Sequence, residues 1–165
     1  MIFKGSEIMA IDKVKEYFKK YNMEDKIQEF DVSSATVEDA AKALNTEGKR
    51  IAKTLSFRCK DDILLIVLAG DAKVNNGKYK STFHEKAHML SFDEVNELIG
   101  HPVGGVCPFA VNDNVKIYLD ESLKRFKTVF PACGSANSAI ELTIPELEKY
   151  SNFISWIDVS TYEDN

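Results

Sequence analysis

Cysteine is scarce in this sequence, and what there is does not pair: Cys59, Cys107 and Cys133 are odd in number, widely spaced and without a C-x-x-C motif. That argues against a disulfide framework and against a cysteine-built structural zinc site. Long apolar runs are also missing. The longest, residues 63–70, falls far short of the about 20 residues that cross a bilayer, so no membrane association is expected. Residues 1–10 carry Lys4 and Glu7 without an apolar h-region, and a secretory leader is not expected either. Prolines and glycines gather into no linker, and no repeat or low-complexity tract divides the chain. Excess positive charge is lacking too: the formal net charge is −5, which argues against broad, non-specific binding of duplex nucleic acid. Lysines do cluster at Lys13, Lys15, Lys19 and Lys20, at Lys73, Lys78 and Lys80, and around Lys124, Arg125 and Lys127, and these read as solvated faces. There is no G-x-S-x-G elbow, P-loop or G-x-G-x-x-G.

What is present is an ordinary globular balance, with 44% hydrophobic and 28% charged residues in a chain of 165. That length suits one domain over residues 1–165, and the absent targeting signals make a soluble, cytoplasmic protein the expectation. Ile8, Ile11, Val14, Tyr17 and Phe18 recur at helical spacing, which predicts an amphipathic helix over 7–21. Thr36 with Asp39 marks the start of a second helix. Residues 51–57 and 63–68 are two apolar runs split by 58–62, the pattern of a β-hairpin whose second strand is buried on both faces. Phe83, Ala87 and Leu90 predict a short helix over 81–90. Ser91 with Glu94 opens the next helix and Gly100 ends it. Residues 101–108 read as an irregular loop, 115–119 as a strand, 121–126 as a short helix, and 128–130 and 140–142 as strands. Thr143 with Glu146 caps another helix whose first turn tolerates Pro145, and 156–159 predicts a last strand. Hairpin-like runs of strands flanked by helices imply an α+β fold around a mixed, largely antiparallel sheet or barrel.

Several segments could carry chemistry. Alternation places Lys53 on one strand face with Ile51, Leu55 and Phe57, where a lysine is costly unless it meets an anion or a cavity, or snorkels at a sheet edge. Gly104-Gly105-Val106-Cys107-Pro108 can bring backbone N–H groups close to a ligand such as an ester oxygen, and it also suits an ordinary turn. Residues 132–138 are small and polar, so Asn137 or the serines could bond a guest or simply the local backbone. His84-Glu85-Lys86-Ala87-His88 matches H-E-x-x-H, which on a helix could hold Zn²⁺ with Glu85 as general base, although a third ligand is not evident. Cys107 or Cys133 could pair with His101 as a thiol nucleophile and its base. Cys59 reads as packing.

In order and spacing these segments resemble the YbaK/aminoacyl-tRNA deacylase family, which includes prolyl-tRNA editing domains. The likeness runs through Val37-Glu38-Asp39-Ala40-Ala41, Ile51-Ala52-Lys53-Thr54-Leu55 and Gly70-Asp71-Ala72-Lys73-Val74. It continues in Val103 to Phe109, Tyr118-Leu119-Asp120, Gly134-Ser135 and Ile140-Glu141-Leu142, so that about 35–160 is covered. The resemblance implies hydrolysis of the ester joining a small, wrongly attached amino acid to the 3′-terminal adenosine of tRNA, most often tRNA(Pro), by a free-standing, trans-acting protein. It implies a functional role for Lys53, with the backbone of Gly104 and Gly105 supplying charge stabilisation. Around them it implies a substrate-binding set of Thr54, Val106, Cys107, Pro108, Asp120, Cys133, Gly134, Ser135 and Asn137. No metal or organic cofactor is implied, and 84–88 falls outside the family's motifs. Thr54 stands where alanine-specific members have Asn, and no histidine stands in 133–138, so the amino acid removed is left open. The acceptor end of aminoacyl-tRNA is the expected partner, with docking on prolyl-tRNA synthetase or an elongation factor as a supplement. The rival readings are a non-catalytic binding module using the same pocket, a zinc hydrolase and a thiol enzyme.

Overall fold

The computed structural model describes residues 9–163. In chain order its first half holds helix α1 (Ala10–Lys19), strand β1 (Gln28–Glu29), α2 (Val37–Leu44), β2 (Ile51–Cys59), β3 (Asp62–Ala69), β4 (Lys73–Val74), α3 (Asn76–Phe83) and α4 (Phe92–Ile99). The second half holds β5 (Val115–Asp120), β6 (Thr128–Pro131), β7 (Ser138–Ala139), β8 (Leu142–Thr143), α5 (Ile144–Ser151), β9 (Ser155–Ile157) and β10 (Ser160–Thr161). Residues 121–125 form a 3₁₀ turn rather than an α-helix.

The expected hairpin is the centre of the molecule. β2 and β3 pair antiparallel from Ala52 opposite Ala69 to Cys59 opposite Asp62. The sheet then grows outward on both sides, in the order β8-β6-β2-β3-β5-β9. Parallel partners flank the hairpin, β6 on β2 and β5 on β3, with β9 parallel to β5 and β8 antiparallel to β6. Two further antiparallel ribbons, β1 with β7 and β4 with β10, make four of seven described pairings antiparallel. The fold is α+β with a mixed sheet flanked by helices. Leu64 to Ala69 are each no more than 2% exposed, so β3 is buried on both faces as its continuous apolar run demands. Each Leu or Ile so buried contributes about 1.5–3 kcal/mol. Ile11, Val14 and Phe18 turn one face of α1 into this core, where the Phe18 ring meets Phe109 and Tyr150 edge-on at 4.8 and 5.3 Å.

The local start signals hold. Thr36, Ser91 and Thr143 each accept a backbone N–H three residues on, and the last two form full capping boxes with Glu94 and Glu146. Gly100 ends α4 at φ +96°. Of the helix expected over 7–21, Glu7 and Ile8 lie outside the described residues.

The helix expected over 81–90 is not there. Asn75 accepts the Lys78 N–H and starts α3 five residues earlier, and His84 ends it in the left-handed region at φ 64°. Residues 84–90 instead run beside β2: the Arg58 N–H donates to His88 O at 2.8 Å and the Leu90 N–H to Ser56 O at 3.1 Å. Phe83, Ala87 and Leu90 do pack inward, but Leu90 joins the cluster under α4 while the other two join the main core. Helical spacing was satisfied by a turn. The strand expected over 156–159 stops at Ile157, the end of β9; Asp158 and Val159 lie between it and β10. Around 140–142 the chain pairs on either side, in β7 and β8, while the Ile140 N–H donates to Pro131 O.

Candidate active site

A cleft of about 490 Å³ opens between β2, the N-terminal end of α2, the start of α4 and the 102–108 loop. Lys53, Thr54, Gly104 and Val106 all line it, so the structure brings together the lysine and the glycine loop that lie about fifty positions apart. Its walls are otherwise mainly aliphatic, and among the described residues Lys53 is the only charged side chain in the lining.

Lys53 is half-buried and donates from Nζ to the carbonyl of Gly70 at 3.3 Å. An ammonium group has three donors, so this bond leaves others for a guest. Burial lowers its pKa below the ordinary lysine value, Asp71 opposes that shift and Lys73 adds to it. An ammonium held partly out of water gains most when an anion or a developing oxyanion enters beside it. The Gly70 carbonyl is fixed by close packing: a Cβ there would strike the Gly48 carbonyl oxygen and lie 2.9 Å from Val37 Cγ1. Next to it, Asp71 receives two bonds from Arg125, at 3.0 and 2.6 Å, which hold its carboxyl below the usual carboxylate range.

Gly104 sits at φ +93°, and a Cβ on it would come within 3.1 Å of Ala35 Cβ. Only glycine meets both demands without strain. Gly105 does something else. Its N–H donates to Pro102 O at 2.9 Å, its carbonyl accepts from the Gly134 N–H at 3.0 Å, and a Cβ would lie 2.5 Å from the Ser135 nitrogen. It pins the loop onto the 132–138 segment, and its own N–H is already engaged.

The other residues expected at the site are placed mainly behind this wall. Pro108 is buried. Gly134 sits at φ +92°, and a Cβ on it would come within 2.9 Å of the main chain of Ala10. The Ser135 hydroxyl is engaged within the segment, donating to Asn137 Oδ1 at 2.9 Å with the Ser138 hydroxyl 2.7 Å away, and Asn137 Nδ2 donates to Phe30 O at 2.9 Å. Asp120 is fully buried, accepting from the Ser122 and Val159 N–H groups and from the Ser160 hydroxyl, and it does not line the cleft. Cys107 and His101 do meet, with Sγ 3.5 Å from Nε2, but both are fully buried. His101 Nε2 donates to Phe109 O at 2.7 Å, burial lowers the ring's pKa, and burial pushes the Cys107 thiol up to about 12. Burial also raises the Cys133 thiol. An activated cysteine needs the opposite setting, exposed and electropositive.

His84 and His88 are not one helical turn apart, since α3 ends at Phe83, and Glu85 accepts the Lys60 N–H at the hairpin turn. Among the described residues no three His, Cys, Asp or Glu side chains converge as metal ligands.

Ser138, one of the serines expected near a guest, lines the cleft, and so do Ser34, Thr36, Met89 and Phe92, which were not expected there. Thr36 and Phe92 carried only helix-start signals, and Met89 fell inside the misread helix.

Residues 31–150 match the model of the aminoacyl-tRNA editing domain. The uncharacterized protein YwhH of Bacillus subtilis is 54% identical over 152 residues, 92% of this chain and 97% of that protein. A proline–tRNA ligase of Kosmotoga olearia is 32% identical over 90 residues, 54% of this chain but 16% of the ligase. The crystal structure of a proposed trans-editing enzyme for prolyl tRNA synthetase superposes with a TM-score of 0.82 at 26% identity, covering 96% of this chain and all of that one. That of hypothetical protein APE2540 gives 0.80 at 29% identity, covering 90% and 99%. No described helix is long and apolar enough to cross a membrane. The chain belongs to the aminoacyl-tRNA editing domain family.

Proposed function

We propose that this chain is a trans-acting aminoacyl-tRNA deacylase, clearing a small, wrongly attached amino acid from tRNA, with tRNA(Pro) as the first candidate. The observation that carries the reading is the half-buried Lys53 ammonium facing an otherwise uncharged cleft whose opposite wall is the Gly104 loop. Similarity over 54% of the chain to a proline–tRNA ligase supports the choice of tRNA.

In this mechanism the aminoacyl ester enters between β2 and the loop. Water adds to the ester carbonyl, the bond to the ribose oxygen breaks, and that oxygen takes up the proton the water gives up. Lys53 stabilises negative charge on the reacting ester or on the neighbouring phosphate. The Gly104 N–H, which makes no hydrogen bond among the described residues, is the loop donor we assign to that charge. Gly105 shapes the loop rather than donating. A ribose hydroxyl of the substrate assists the water, so no protein nucleophile is required. Thr54 lines the cleft beside Lys53, and we assign it to the aminoacyl moiety. Cytoplasmic action and docking on prolyl-tRNA synthetase or an elongation factor belong to the same proposal; a pull-down lacking both partners removes the docking.

The test is release of labelled amino acid from tRNA(Pro) charged in turn with alanine, cysteine, serine, 2-aminobutyrate and proline. One non-cognate residue is released rapidly, proline is spared, and Lys53→Ala slows release by about 100-fold or more. Full activity in Lys53→Ala sinks the mechanism. Binding of the charged end without release by the folded protein would make it a binding module.

A further inference from the structure

Exposed apolar side chains are concentrated at the mouth of the cleft. Phe92 is 74% exposed, Met89 60% and Val103 46%, and all three line the cleft that holds Lys53. The backbone that carries Phe92 is anchored. This residue is the first of α4, directly after the Ser91 cap, and Glu94, which completes that capping box, accepts from Arg58 at 2.7 Å. The backbone of Met89 is anchored by its bridge to Phe57 of β2. Three exposed apolar side chains bordering one binding cleft, on a backbone anchored by the helix cap and the bridge, mark a surface suited to an apolar or aromatic ligand.

The charge distribution selects the occupant. With a net charge of −5 the chain offers a nucleic acid little general attraction through its phosphates. The polar cleft on the far side of Gly70 offers no surplus either, since Lys49, Lys73 and Arg125 there stand against Glu47, Asp71 and Glu163. Affinity for an RNA end must then come from its unpaired bases, each of which presents a flat face that stacks on an aromatic ring regardless of sequence.

We propose that Phe92, flanked by Met89, is a stacking platform for the unpaired nucleotide next to the terminal adenosine of the tRNA 3′ end. This rests on the deacylase reading: with the ester and terminal adenosine in the cleft, the strand must leave past this rim. It adds a determinant of affinity that is separate from the reacting groups, and it explains how an acidic protein with one lysine in its cleft holds a polyanionic substrate.

The first measurement is binding of the single-stranded trinucleotide CCA and of adenosine, by titration followed by NMR or calorimetry, for wild type, Phe92→Ala, Phe92→Trp and Phe92→Leu. Phe92→Ala weakens CCA by about tenfold and adenosine much less, Phe92→Trp keeps CCA affinity, and Phe92→Leu does not restore it. Deacylation of charged tRNA then shows the same order in KM rather than kcat. The proposal is overturned if Phe92→Ala binds CCA like wild type, if it weakens CCA and adenosine equally, or if leucine serves as well as phenylalanine. It is also overturned if the substitution abolishes self-association or capture of a protein partner and leaves RNA binding intact. Because trinucleotide binding needs no turnover, an inert wild-type enzyme would sink the deacylase reading without deciding this one.

Discussion

Lys53 on β2 and Asp71, just after β3, are coupled through Gly70: the lysine donates to the Gly70 carbonyl, and the next residue's carboxylate, itself held by Arg125, raises the pKa that burial lowers. The half-buried ammonium is therefore tuned by a carboxylate in one direction and by Lys73 in the other.

The sign of that tuning is measurable. Activity that needs the Lys53 ammonium falls as pH rises through its pKa, which lies below the ordinary 10.5. Asp71→Asn removes the group that raises this pKa, so the alkaline limb moves to lower pH. Lys73→Gln removes a group that lowers it, and the limb moves to higher pH. The check is single-turnover deacylation from neutral to alkaline pH, with uncatalysed ester hydrolysis subtracted. Shifts of the two variants in the same direction would refute the coupling.

His84 offers a test in which two readings of one segment have opposite signs. It stands at φ 64°, where a side chain costs about 1–2 kcal/mol that glycine avoids. His84→Gly therefore raises stability by about 1 kcal/mol in a denaturant titration. Were residues 84–88 helical, the same change would lower it by about 1 kcal/mol.

That segment also marks what the sequence could carry. Signals that act within a few residues were legible: the caps at Thr36, Ser91 and Thr143, the glycine after α4, and the period-two and continuous apolar runs of the central hairpin. What escaped depends on partners distant in sequence. Residues 88–90 have helical spacing, but hydrogen bonds to Ser56 and Arg58 hold them against β2. Apolar spacing alone does not disclose that Asp120 gathers Val159 and Ser160 and so splits the last strand. At the site, Lys53 and Gly104 were legible as residues out of place in their local pattern, and they do share the cleft. Met89, Phe92 and Ser34 were not, because nothing in a cap or a turn reports which cavity it will border.

Asp120 separates a structural from a substrate-binding role. Its carboxylate accepts three hydrogen bonds in a site without water access, so Asp120→Asn must turn an N–H toward a donor already there. Stability falls by about 1–3 kcal/mol, read as a lower denaturation midpoint. KM for the charged tRNA, corrected for the folded fraction, stays near wild type. A large rise in KM with unchanged stability would place Asp120 at the substrate instead.

The buried thiols give the last prediction. Cys107 and Cys133 have no exposed surface, and burial raises both thiol pKa values, so the reactive thiolate is scarce near neutral pH. A thiol reagent such as Ellman's should therefore modify them only as fast as the chain opens, and the rate should rise steeply with denaturant. Contact with His101 does not change this, because its Nε2 hydrogen already goes to Phe109 O and its pKa is lowered, which keeps the ring neutral. Cys107→Ala with Cys133→Ala costs packing, about 1 kcal/mol per site, and leaves the rate of ester cleavage per folded molecule unchanged. Rapid modification of native protein at pH 7 that abolishes deacylation would restore the thiol mechanism and displace Lys53 from the centre of the reaction.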